Sequence, residues 1–183
     1  MTSANWNQRW KERQERPLQA DNWLLKMLPL LPETGTVLDI ACGRGRNAVY
    51  LQQHGWQVTA VDGSDEALHQ LQSVCPQIIT RHHDLDQPLE LSQRFDLVLQ
   101  FFFLNRRQLP HFMQQVRPGG AMIVRTFSDA GEFGSKGGNP EHRLQPGELL
   151  EIFSPWEILC HEEGLDPSHK GGSLAGIVAR RPL

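Results

Sequence analysis

Cysteine is scarce: Cys42, Cys75 and Cys160 lie far apart and lack the close pairing of a metal site. An odd count with no export signal predicts free thiols in a reducing compartment and no disulfide framework. Long hydrophobic runs are missing too. The longest, residues 101–104 with the neighbouring 97–99, is too short to span a bilayer. Residues 1–14 are polar and contain no apolar signal core. These absences predict a cytoplasmic protein with no membrane association. There is no basic surplus either. A formal net charge of -3 argues against a nucleic-acid partner, which usually requires a positive face. Internal repeats and low-complexity tracts are also lacking. What is present is ordinary globular composition, 39% hydrophobic and 21% charged over 183 residues. That is room for one domain, expected as a monomer or weak dimer.

Strand-like apolar runs alternate with helix-like stretches. This pattern predicts an α/β fold, a doubly wound and mostly parallel sheet with helices on both faces. Residues 21–31 carry apolar side chains at helical spacing, and Pro32 closes them. Residues 36–41 read as a buried first strand, followed by a glycine turn and a helix over 47–54 that Gly55 terminates. A second strand covers 58–61. Ser64 then caps a helix whose first turn holds Asp65 and Glu66. Strands three and four fall at 78–82 and 95–101. Asn105 is expected to cap a helix running towards Val116, and Pro118-Gly119-Gly120 to turn the chain into a fifth strand at 121–126. Residues 128–145 carry several glycines and almost no apolar side chains, the mark of a functional loop. Pro146 opens a short helix through Phe153, and residues 156–180 supply a terminal strand pair.

The most informative stretch runs from Val37 to Ala48. A buried strand enters a turn containing Ala41, Gly43 and Gly45, which opens a helix and turns backbone N–H groups outward. Glycine is expected there because a ligand touches the main chain. Gly43, Gly45 and Ala48 also satisfy the dinucleotide pattern G-x-G-x-x-G/A, so a nicotinamide-dependent oxidoreductase stays open at this point. Asp39, in the strand before the turn, would repel a pyrophosphate and suits a cationic ligand. Asp62 ends the second strand 17 positions beyond Gly45, close to the roughly 20-residue spacing of a ribose-binding carboxylate. Asp84 and Leu85 end the third strand, where a base would lie.

Taken in order, residues 39–45, Val61-Asp62-Gly63-Ser64 and His83-Asp84-Leu85 resemble the class I S-adenosylmethionine methyltransferases. Phe95-Asp96-Leu97-Val98 and the Pro118-Gly119-Gly120 turn resemble the same family, and the likeness covers residues 36–126. It implies a seven-stranded sheet of order 3-2-1-4-5-7-6 with the last strand antiparallel. It also implies S-adenosylmethionine as cofactor, S-adenosylhomocysteine as product and a small-molecule substrate. The compact size is similar to the tellurite-resistance and thiopurine methyltransferase group. Trp6-Asn7-Gln8-Arg9-Trp10 resembles the tryptophan segment that covers the cofactor in such enzymes. Gln100-Phe101-Phe102-Phe103-Leu104 stands where base-modifying members have an Asn-Pro-Pro-Tyr-type motif, which speaks against methylation of nucleic-acid bases.

The expected layout is a helical cover over 1–31, a cofactor core over 36–126, a lid over 128–145 and a strand pair over 156–180. Arg9 is a candidate for the cofactor carboxylate. Asp39, Ala41, Gly43, Gly45, Asp62, Gly63, Ser64, Asp84, Leu85 and Gln100 complete the cofactor set. Trp10, Phe101 and Thr126 border the acceptor, and His142 on the lid is the candidate base. A thiol or chalcogen acceptor needs no base. No metal is expected, since adjacent His82 and His83 point to opposite faces of a strand. A cofactor-binding module without turnover is the third reading.

Overall fold

The computed structural model describes residues 3–12, 18–133, 139–167 and 172–183. Its strands are β1 (Thr36–Ile40), β2 (Gln57–Asp62), β3 (Ile79–His82), β4 (Phe95–Phe101), β5 (Val116–Ser128), β6 (Glu157–Pro167) and β7 (Ser173–Arg180). Its helices are α1 (Ser3–Glu12), α2 (Asn22–Met27), α3 (Arg46–Gln53), α4 (Asp65–Val74), α5 (Leu109–Gln114) and α6 (Glu148–Ile152). The sheet order is β3-β2-β1-β4-β5-β7-β6, as expected. Strands β1 to β5 pair in parallel, and β7 runs antiparallel to both β5 and β6. Strand order reverses between β1 and β4, so a crevice opens at the carboxyl ends of those strands, where ligands bind in open α/β sheets.

Side-chain alternation divides the core in two. Val37, Leu97, Leu99, Ile123 and Val178 pack under α2, α3 and α4 with Trp23, Leu24, Leu51 and Leu71. Leu38, Ile40, Val98, Met122, Val124 and Ile177 meet Phe112, Leu149 and Phe153 on the other face. Each fully buried side chain of this size stabilises the fold by about 1.5–3 kcal/mol. Helices therefore cover both faces, and no helix among the described residues is long and apolar enough to cross a membrane.

Local signals account for most element ends. Ser64 accepts the Ala67 N–H and caps α4, while Asp21 accepts the Trp23 N–H and caps α2. Three expectations change. Pro118-Gly119-Gly120 is no free turn but an irregularity inside β5: the β4 register jumps from Phe95–Val116 to Leu97–Ala121. Asn105 starts a turn instead of a helix, because Pro110 favours the first turn of α5, which begins at Leu109. Residues 128–145 are tied at the neck, for Leu144 is fully buried and bridges Ser128. Arg143 pairs with Asp129 at 2.6 Å in the same neck. Residues 134–138 of the expected lid lie outside the described residues, as do 1–2 and 13–17 of the N-terminal cover.

Candidate functional site

The turn after β1 uses left-handed backbone at alternate positions: Ala41 has φ 55°, Gly43 φ 56° and Gly45 φ 74°. Two backbone bonds fix it, Cys42 N–H to Val61 O at 3.1 Å and Gly45 N–H to Cys42 O at 2.9 Å. Asp62 closes the site from β2. One carboxylate oxygen accepts the Gly43 N–H at 2.8 Å and the other the Ser64 N–H at 2.9 Å.

Glycine is favoured here by the left-handed backbone and, beyond that, by close neighbours. A Cβ on Gly43 would lie 2.7 Å from the Trp10 ring, and one on Gly45 would strike the Leu71 side chain. A side chain at either position would have to displace these neighbours as well as strain the backbone. Trp10 reaches the turn because α1 is fastened to α4. Asn7 Oδ1 accepts the Ser64 hydroxyl at 2.6 Å and the Glu66 N–H at 3.2 Å, and Gln70 donates to the Trp10 carbonyl at 3.3 Å.

The electrostatics are anionic and dry. Asp39 is 3% exposed. Burial, then the nearby Asp62 charge, push its pKa from 3.8 up to about 7, against the opposing pull of Arg46 and the Ala48 amide. Burial also raises Asp62, opposed by the Gly43 and Ser64 amides. The Cys42 thiol beside them is driven up by burial and both carboxylates, which keeps it protonated and unreactive. A buried carboxylate and a half-buried one, both resisting ionisation, are an arrangement that suits a cation.

The structure gathers Trp10, Asp39, Ala41, Gly43, Gly45, Asp62, Gly63 and Ser64 around this turn. Leu85 is buried beside the crevice, its carbonyl accepting from Asn105 at 3.2 Å. Asp84 is exposed and its carboxylate bonds the Asp86 N–H at 3.0 Å. Gln100, fully buried, donates to the Phe103 carbonyl at 2.9 Å. Phe101 belongs to the α2–α4 face, whereas Thr126 is buried on the opposite face by alternation along β5.

Two candidates stand apart. Arg9 is exposed and stacks on Trp6, 5.1 Å from its ring centre. His142 is exposed in a short 3-10 turn, Pro140–His142. Sequence reasoning gave no site role to Asp21, Arg46, Phe102 or Arg125, which converge between α2, α3 and the ends of β4 and β5. Only the place of Arg46, directly after Gly45, was visible in the sequence.

Residues 10–179 match the family model described as Methyltransferase domain. A relative named Hemagglutinin 1, from Eikenella corrodens, is 26% identical over 147 residues, covering 72% of this chain and 47% of that protein. The probable S-adenosyl-L-methionine-dependent methyltransferase TehB of Haemophilus influenzae (strain ATCC 51907 / DSM 11121 / KW20 / Rd) is 25% identical over 146 residues, covering 73% of this chain and 50% of its own. The crystal structure of TehB from Haemophilus influenzae superposes with a TM-score of 0.72 at 21% identity, over 88% of this chain and 62% of that one. The chain thus spans about half the length of these two sequence relatives.

Proposed function

Because the chain belongs to the methyltransferase-domain family, with S-adenosylmethionine as cofactor, we propose that it transfers a methyl group to a small-molecule acceptor, a thiol or chalcogen nucleophile. One observation carries the cofactor part of this reading. Asp39 is buried and Asp62 half-buried beside a glycine turn, with both carboxyl groups pushed up by desolvation. That donor set fits a cofactor with a cationic amino-acid end and a ribose. It opposes a pyrophosphate, and so disfavours a nicotinamide dinucleotide.

In this reading Asp62 accepts from the ribose hydroxyls and Asp39 faces the ammonium. Ala41, Gly43 and Gly45 offer main chain, with Gly63 and Ser64 at the rim. Asp84, Leu85 and Gln100 line the adenosine side. S-adenosylmethionine supplies an activated methyl on a good leaving group. The protein's work is then alignment in a dry pocket, which can lower a barrier by up to about 7–11 kcal/mol in ideal cases. Trp10 closes the pocket over the turn and Phe101 borders the acceptor, whereas Thr126, buried on the opposite sheet face, does not reach it. The 128–145 segment acts as a lid. His142 serves as base only for an acceptor that arrives protonated.

A methyl-transfer assay tests this with labelled S-adenosylmethionine and a panel of thiols, selenite, alcohols and amines. Label on a thiol or chalcogen product is expected. Cofactor binding with no transfer to any acceptor would favour the non-catalytic module. Displacement of S-adenosylhomocysteine by reduced nicotinamide dinucleotide would favour the oxidoreductase.

A further inference from the structure

The side chains that the cofactor roles leave unused form a second polar group at the same crevice. Arg125 sits near the end of β5 between Val124 and Thr126 and is 7% exposed. Burying a guanidinium there costs several kcal/mol unless it is paired. It lies 3.7 Å from Asp21 Oδ1 and stacks on Trp23, 5.1 Å from the ring centre. Arg46 approaches the same carboxylate from α3, with Nη2 at 2.7 Å from Asp21 Oδ2. Its side chain is 40% exposed, so it is the open member of the pair.

Phe102 joins the two. It takes a left-handed backbone at φ 55°, and its N–H bonds the Arg125 carbonyl at 2.8 Å. A bulky side chain in that region carries strain of about 1–3 kcal/mol, a cost that clusters at functional sites. The turn directs its ring beneath the Arg46 guanidinium at 5.3 Å and against the edge of Phe127 at 5.6 Å. The carboxylates of this group have structural work. Asp21 caps α2, and Glu162 holds the Trp23 indole N–H and Lys26. Lys26, Arg46 and Arg125 meet these carboxylates beside an aromatic wall.

We propose that Arg46 and Arg125, braced by Asp21 and flanked by Phe102, recognise a carboxylate or oxyanion on the methyl acceptor, so that the acceptor is a small anion. The inference rests on the cofactor reading above and names the substrate class of the same site. A planar guanidinium matches a delocalised oxyanion through two parallel hydrogen bonds, and the Phe102 ring gives a flat acceptor a face to stack on.

Calorimetry with benzoate and benzamide, titrated into the chain saturated with S-adenosylhomocysteine, tests the proposal. Benzoate should bind roughly tenfold or more tightly than benzamide, as expected for charged hydrogen bonds. Arg125→Gln and Arg46→Gln should each erase that preference while leaving S-adenosylhomocysteine affinity within about threefold. If Arg125→Gln does not fold, Arg125→Lys, which keeps the charge and loses the fork, should show a reduced preference. Equal binding of the two probes, or no benzoate binding to the loaded chain, overturns the inference alone. So does an Arg46→Gln variant that weakens S-adenosylhomocysteine and spares benzoate, since Arg46 then serves the cofactor. Failure of S-adenosylhomocysteine to bind at all overturns the cofactor reading, and this inference with it.

Discussion

Asp39 and Ala41 are neighbours in the chain, and each carries a cost that the fold tolerates. Folded, Asp39 holds its proton up to about pH 7; its ordinary value is 3.8. Between those limits the folded chain binds a proton that the unfolded chain has lost. The resulting stabilisation is complete below about pH 4 and is lost as pH rises through 7. Urea midpoints should therefore fall between about pH 5 and about pH 8. Asp39→Asn, neutral throughout, should flatten that slope; an unchanged slope would assign it to other groups. Ala41 stands at φ 55°, where an L side chain is strained. Ala41→Gly should stabilise the free protein by about 0.5–1 kcal/mol, the relief of strain exceeding the added chain entropy. A variant with a lower urea midpoint would contradict that account of the turn.

Among the elements, strands and caps were legible because their signals are local: apolar runs for β1, β2 and β4, and Ser64 ahead of α4. Features set by distant partners were not. The β5 irregularity depends on its register with β4, and the packing of Trp10 on Gly43 depends on Asn7 meeting Ser64 across the sequence. The 128–145 segment was recognisable by composition, but its anchors were hidden in single residues. Leu144 plugs the core, and Arg106 binds Glu148 and the carbonyls of Glu141 and Arg143. Arg106→Ala should cost about 1–2 kcal/mol of local stability, given several charged hydrogen bonds at a partly exposed site. Hydrogen exchange should speed up over residues 140–148 and leave β1 and β4 unchanged. Exchange that is equal in variant and parent would mean the staple is dispensable.

At the scale of the molecule, parallel strands joined by crossovers leave few topologies open, so the sheet order could be stated from the sequence with its family likeness. The crevice position follows from that order. The acceptor does not, because Asp21, Arg46 and Arg125 come from three separate elements and share no motif. On the function proposed above, this crevice holds S-adenosylmethionine through Asp62 and the glycine turn. Isothermal titration of S-adenosylhomocysteine into the parent chain and Asp62→Ala tests it most directly, with melting curves confirming that the variant is folded. Binding by the parent is expected, with a loss of roughly a hundredfold in the variant, as for removing a half-buried carboxylate that accepts two hydroxyls. A parent that binds nothing at high micromolar ligand, or a folded variant that binds as well as the parent, would contradict it.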